Sequence, residues 1–153
     1  MDRPDPELLR VMAHAATTAD EPFTSTQDYS LWGSSAGARM AAAIGTHGVA
    51  HFGGDAVPKP SAVVMAYTAH SEYSPEDPPT FSVVGELDRI ASPATMERRV
   101  DALRNAGVMV EHHKYPALGH GFGLGTGTSA EGWIDEALRF WERARTNRIS
   151  STP

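Results

Sequence analysis

Apolar and polar positions divide the chain into short blocks that predict strands alternating with helices. Residues 61–67 form a continuous apolar run, which is typical of a strand covered on both faces. Shorter segments with aromatic or β-branched residues predict three more strands at 28–32, 80–84 and 108–115. Helices or long connections separate these strands, so we expect them to lie parallel in one sheet. The predicted fold class is α/β, with a mainly parallel sheet of about four strands flanked by helices.

Helical periodicity appears in the segments around the strands. Apolar spacing predicts amphipathic helices at 6–17 and 36–46, and Ser followed by Pro at 92–93 predicts the cap of a third, which Gly107 ends. Residues 128–131 have the form of a capping box and predict a final helix. The expected apolar face of that helix consists of Trp133, Ile134, Ala137, Leu138 and Trp141.

The predicted elements form one domain. A chain of 153 residues is long enough to bury a sizeable core, and we find no internal repeat. The domain is expected to span residues 1–146. Residues 147–153 are expected to form a disordered tail.

Composition narrows the possible chemistry and partners. The chain has no cysteine, which excludes disulfides, thiol catalysis and cysteine-based metal sites. Its net charge is −6, and its only basic clusters, Arg98-Arg99 and the Arg139–Arg148 series, alternate with acids on helices, so we expect no nucleic-acid partner. No apolar run approaches the length of a membrane span, and the N-terminus does not resemble a signal peptide. We therefore expect a cytoplasmic protein with no membrane partner.

The sequence Gly33-Ser34-Ser35-Ala36-Gly37 stands directly between a predicted strand and a predicted helix. In that position G-x-S-x-G is typical of a nucleophile elbow, a strained turn that lifts the serine hydroxyl above the sheet. The two glycines are expected because a Cβ at either place would clash where the helix folds back on the strand. Ser35 is the candidate nucleophile, and the backbone N–H of Ala36 is the candidate oxyanion-hole donor.

An acid and a histidine follow the elbow in the order that serine hydrolysis needs. Asp88 comes four residues after strand 80–84, and Glu86 is the second candidate for the acid. Of the seven histidines, His120 is the one that follows the acid in a loop between a strand and a helix. A serine hydroxyl is a weak nucleophile at neutral pH, so an imidazole must accept its proton and an acid must hold the imidazole tautomer. Asp88 and His120 are the candidates for these two roles.

Two other kinds of site are not favoured. The glycine-rich segment 119–127 precedes a helix, but it follows the fourth predicted strand and lacks the lysine of a phosphate-binding loop. His112 and His113 are adjacent in a predicted strand, so they point to opposite faces of the sheet and cannot share a metal. We therefore expect no metal and no cofactor.

Three segments, 29–40, 85–91 and 119–123, together resemble the α/β-hydrolase superfamily. Within it they are most similar to bacterial carboxylesterases related to acetyl xylan esterases and dienelactone hydrolases. The resemblance implies a serine esterase that cleaves small carboxylic esters through an acyl-enzyme, with Ser35 as nucleophile, Asp88 as acid and His120 as base. The residues that bind the substrate are not indicated, because the loops that line the pocket vary freely in this fold.

The resemblance covers only the C-terminal half of the superfamily's fold. Members have several strands before the elbow, and one of those segments carries an H-G-G-G-type loop that completes the oxyanion hole. No such sequence stands in this chain, so weak activity is expected. The alternative is a non-catalytic or accessory hydrolase-like module with a relic triad.

The same resemblance predicts an assembly. In the full fold the elbow strand has a neighbour on each side, and one of them is expected to be missing here. The segment Asp28–Trp32 has no lysine or proline to discourage pairing with another strand. We therefore expect a homodimer that forms through this sheet edge.

Overall fold

The computed structural model describes residues 28–150 and contains one sheet of four parallel strands in the order β1-β2-β3-β4. The strands are β1 (Ser30–Ser34), β2 (Ala62–Ala66), β3 (Thr80–Gly85) and β4 (Val110–Tyr115). In this described part of the chain, three α-helices surround them: α1 (Ala36–His47), α2 (Pro93–Asn105) and α3 (Trp133–Ser150). A 3₁₀ turn, Val49–Phe52, follows α1. The predicted α/β class and parallel sheet are confirmed, whereas the helix predicted at 6–17 lies outside the described residues.

The core has two layers, because successive side chains of a strand point to opposite faces of the sheet. On one face Val64 and Phe81 pack with Phe140 and its neighbours on α3. On the other face Val63 and Met65 pack against α1 and α2. Strand β2 is buried along its whole length, as the apolar run at 61–67 predicted, and β3 is buried in the same way. The sheet therefore lies between α3 on one face and α1 and α2 on the other.

Two details of the final helix differ from the prediction. The helix begins at Trp133, and the Glu131 carboxylate accepts a hydrogen bond from the N–H of Gly127, so residues 128–131 form a turn before the helix instead of a capping box. The predicted apolar face was also wrong in part, since Leu138 is 40% exposed. Among the side chains of α3 that the structure describes, the buried ones are Trp133, Ala137, Phe140 and Ala144. Their spacing of four, three and four residues follows the 3.6-residue period.

Other boundaries differ by a few residues. Strand β1 lies two residues later than predicted, so Gly33 belongs to the strand. Ser92 precedes α2, but its side chain makes no capping hydrogen bond, and Pro93 opens the helix. The expected tail at 147–153 overlaps the last turn of α3, which reaches Ser150, and its last three residues lie outside the described part. None of the helices within residues 28–150 is both long and apolar enough to cross a membrane.

A buried ion pair joins α2 to the segment that precedes β3. The Arg99 guanidinium donates to the Asp77 carboxylate at 2.8 Å, and both side chains are 1% exposed. The same guanidinium donates to the carbonyl of Glu72 at 2.9 Å. Two of its donors therefore hold the 67–79 connection against the helix.

We expect Arg99→Met to destabilise the fold by about 3–5 kcal/mol, because it leaves the Asp77 carboxylate buried without a partner. The measurement is the free energy of unfolding in urea. A matched control is Arg104→Met, which breaks an exposed pair with Asp101 on the same helix and should change that free energy by less than about 0.5 kcal/mol. Equal effects of the two substitutions would contradict the prediction.

His70 should make the stability depend on pH. Its side chain is buried in the 67–79 connection, and burial lowers its pKa to about 4, with a further lowering by Arg99. Glu72 raises the pKa of His70, whereas Arg39 and His47 lower it further. The unfolded chain binds a proton at this histidine near its ordinary pKa of ~6.5, so the contribution to stability is complete above that pH and is lost as pH falls to 4.

Between pH 7 and pH 4, wild type should therefore lose on the order of 3 kcal/mol more stability than His70→Gln. Urea unfolding of both proteins at several pH values in this window measures the difference. The pKa of His112 is also lowered by burial, but His112 is present in both proteins and cancels in the comparison. Parallel stability curves would refute the role of His70.

The predicted homodimer would form through the edge of strand β1 that does not face β2. Within residues 28–150 it pairs with β2 on one side and with no strand on the other. Association of two copies through β1 stays a prediction, to be measured by sedimentation velocity. A single species of monomer mass at micromolar concentration would contradict it.

Candidate active site

Ser35 occupies the tight turn between β1 and α1. Its backbone has φ 49° and ψ −119°, a region that L side chains rarely adopt and that costs about 1–3 kcal/mol. The N–H of Ser35 donates to the carbonyl of Ala66 at 2.9 Å, which ties the turn to the end of β2. The strained turn is the elbow that the sequence predicted.

The two glycines of the elbow have different reasons to be glycine. A Cβ on Gly33 would lie 2.3 Å from the carbonyl oxygen of Gly37, so only glycine lets α1 fold back on β1. A Cβ on Gly37 would meet nothing within 4 Å among the described residues. The expected clash is therefore confirmed at Gly33, whereas the expectation for Gly37 was wrong.

Asp88 lies in the loop that follows β3, with its side chain fully buried. One carboxylate oxygen, Oδ1, accepts hydrogen bonds from the backbone N–H groups of Ile90 at 2.9 Å and Ala91 at 2.8 Å. These bonds hold the carboxylate in one orientation and leave Oδ2 to bind a third partner.

That third partner is His120. Its Nδ1 lies 2.7 Å from Asp88 Oδ2, and its Nε2 lies 2.9 Å from Ser35 Oγ. A carboxylate can only accept, so Nδ1 carries the proton, and the neutral ring then accepts the serine hydroxyl at Nε2. The imidazole is 15% exposed, which leaves a path from solvent to the reacting atoms. The structure thus brings together all three side chains that the sequence proposed.

A close backbone approach lets the acid and histidine loops meet. A Cβ on Gly85, the last residue of β3, would lie 2.3 Å from the carbonyl oxygen of Leu118. That carbonyl accepts the N–H of Leu87 at 2.8 Å, and the N–H of Glu86 donates to the carbonyl of Tyr115. Glycine at position 85 is therefore required for the loop that carries His120 to lie against the loop that carries Asp88.

The competing candidates lie elsewhere. Glu86 is exposed, and its carboxylate accepts from the backbone N–H of Ala117 at 3.4 Å. Three other histidines have partners remote from the elbow: His47 with Glu72, His112 with Ser82 and His113 with Glu111. His14 lies outside the described residues. In the part from 28 to 150 no group of three or more histidine, aspartate or glutamate side chains is arranged to hold a metal ion.

Ala36 is the first residue of α1 and is exposed beside Ser35. The N–H groups of the first turn of a helix have no acceptor within the helix, and the helix dipole makes this end partly positive. An anionic oxygen next to Ser35 Oγ would therefore be stabilised there.

Sequence reasoning missed Tyr67, whose ring contacts His120, and the aromatic cluster to which Tyr67 belongs. Tyr67 lies directly after β2 with φ 38°, and its ring centroid is 5.3 Å from that of His120. The ring centroid of Phe122 is 4.7 Å from that of Tyr67. The indole N–H of Trp133 donates to the carbonyl of Gly123, one residue after Phe122, at 3.0 Å. The one available signal was an aromatic side chain at the end of a buried strand, which is too common to indicate a site.

Solved structures with similar folds are α/β-hydrolases and esterases. An α/β hydrolase enzyme from a Medee basin deep-sea metagenome library matches with a TM-score of 0.64 and 21% identity, over 91% of this chain and 61% of its own. The carboxylesterase of Bacillus cereus matches with a TM-score of 0.62 and 20% identity, over 91% and 59%. A truncated carbohydrate esterase from gut microbiota matches with a TM-score of 0.72 and 14% identity, over 92% and 68%.

These matches confirm the α/β-hydrolase fold and its partial extent, because the chain spans about three fifths to two thirds of each of these structures. No curated protein sequence matches the chain closely enough to count as a relative. The sequence profile of the prolyl oligopeptidase family matches residues 55–148, which is more than half of the chain and includes Asp88 and His120. The chain therefore belongs to the prolyl oligopeptidase family of α/β-hydrolases.

Proposed function

We propose that this protein is a serine hydrolase that cleaves small carboxylic esters through an acyl-enzyme intermediate. The observation that carries the proposal is the continuous hydrogen-bonded series from Ser35 Oγ through His120 to Asp88. Three residues that are far apart in the chain converge at the carboxyl edge of a parallel sheet, which is where this fold binds its ligands. The esterases among the structural neighbours support ester substrates.

In the first step Ser35 Oγ forms a bond to the ester carbonyl carbon while its proton passes to His120 Nε2. The carbonyl oxygen becomes an alkoxide, and the N–H of Ala36 donates a hydrogen bond to it. When this intermediate collapses, the bond to the alcohol breaks and the alcohol leaves with the proton from Nε2. The acyl group stays on Ser35.

In the second step water takes the place of the alcohol. Its oxygen bonds to the acyl carbon as its proton passes to Nε2, and collapse returns that proton to Ser35 Oγ. One ester and one water become one acid and one alcohol. Asp88 keeps its charge throughout and stabilises the imidazolium that forms twice in the cycle.

The alternative is a hydrolase-like module whose triad is a relic. Such a module would keep the fold and the hydrogen bonds of the three side chains without turning over substrate. The strained backbone at Ser35 favours the enzyme, because strain of this kind clusters at active sites.

Ser35→Ala and His120→Gln should each lower the rate of p-nitrophenyl acetate hydrolysis by about 10³-fold or to the rate in buffer. The double variant should be no slower than either single one, because residues that act as a unit have non-additive effects. His112→Gln is the control, since His112 bonds to Ser82 within the sheet and should retain the wild-type rate. Release of p-nitrophenol is measured for the four variants and for the wild type.

Equal rates for wild type and Ser35→Ala would contradict the esterase proposal and favour the non-catalytic module. The family's description names oligopeptides, so a proline p-nitroanilide peptide is the second substrate in the assay. Serine-dependent cleavage of that amide without cleavage of the ester would change the proposed substrate class and keep the mechanism.

A further inference from the structure

Tyr67 has an unusual backbone directly beside the proposed active site. It follows the last residue of β2 with φ 38°, a conformation that is a genuine outlier for a bulky residue. Its N–H donates to the carbonyl of Val83 at 2.7 Å, so the conformation is anchored to β3. Conformations of this kind cost about 1–3 kcal/mol and persist where the surrounding structure determines them.

The strained backbone directs the Tyr67 ring at His120. The two ring centroids are 5.3 Å apart and the planes meet at 74°, an edge-to-face arrangement. The Tyr67 side chain is buried, and a second edge-to-face contact joins it to Phe122, two residues after His120. Tyr67 therefore contacts both the imidazole and the loop that carries it.

This contact supplies a constraint that the hydrogen bonds of His120 do not. Bonds at Nδ1 and Nε2 fix two points of the ring, and the ring can still tilt about the line through those two nitrogens. A planar group packed almost perpendicular to the imidazole opposes that tilt. The lone pair of Nε2 then keeps pointing at Ser35 Oγ, which proton transfer requires.

We infer that Tyr67 is a positioning residue that holds the imidazole plane of His120 during catalysis. The inference rests on the proposed serine hydrolase function. The positioning effect is assigned to the aromatic ring, because the Tyr67 hydroxyl makes no hydrogen bond to any residue within 28–150.

The experiment compares Tyr67→Phe, which keeps the ring, with Tyr67→Leu and Tyr67→Met, which keep apolar bulk without a flat ring. With p-nitrophenyl acetate, Tyr67→Phe should retain kcat and KM within about twofold. The other two should lower kcat about tenfold at nearly constant KM, because a small misplacement of the base slows the chemical step more than binding. Met is included because its flexible side chain fills an irregular space if Leu fails to fold.

Tyr115→Leu is the matched control. Tyr115 belongs to the same aromatic cluster, and its ring centroid lies 6.2 Å from that of Phe122 in an edge-to-face arrangement. The substitution therefore removes a ring of the same size as that of Tyr67. It should lower the thermal unfolding temperature and leave kcat close to the wild-type value. A fall in kcat equal to that of Tyr67→Leu would show that loss of cluster packing explains the effect, and would overturn the inference.

A second measurement separates this inference from the proposed function. The proton on His120 Nδ1 gives a proton NMR resonance while the ring is held against Asp88. We expect it to be sharp in wild type and Tyr67→Phe, and broadened in Tyr67→Leu. If hydrolysis does not depend on Ser35, the esterase proposal fails and the resonance alone decides the role of Tyr67. An unchanged resonance in Tyr67→Leu would refute that role.

Discussion

The site depends on two places where the backbone approaches itself more closely than any side chain would allow. A Cβ on Gly33 or on Gly85 would lie 2.3 Å from a carbonyl oxygen, that of Gly37 in one case and of Leu118 in the other. Real atoms do not approach so closely, so a substitution at either glycine must move backbone. The first approach turns β1 directly into α1 and exposes Ser35. The second brings the histidine loop onto the acid loop.

The sheet converts these local contacts into one site. Its strands are parallel and neighbouring, so each one ends at the same edge and delivers its next residues there. The N–H of Ser35 donates to Ala66 on β2, that of Tyr67 to Val83 on β3, and that of Glu86 to Tyr115 on β4. Each strand end is thus fastened to the next strand, and the side chains that follow are held relative to one another.

The sequence was sufficient for the fold and for the three polar members of the site. The buried run at 61–67, the elbow around Ser35 and the order of Asp88 and His120 are local patterns or simple sequence positions, and each has a physical cause that acts over a few residues. The sequence did not predict the contacts between distant segments. Phe140 is buried because α3 packs on the sheet, and the Tyr67 ring contacts His120 in a loop more than 50 residues later.

Strain and anchoring occur together at this edge. Ser35 and Tyr67 both have positive φ without being glycine, and they stand at the ends of neighbouring strands. Each is bonded through its own N–H to a carbonyl of the next strand, in a sheet whose central strands are buried on both faces. A backbone held in this way cannot relax without breaking buried hydrogen bonds, each of which would leave an unpaired group at a cost of about 1–3 kcal/mol. That cost is comparable to the strain, so the strained conformations persist and both the Ser35 hydroxyl and the Tyr67 ring stay in contact with His120.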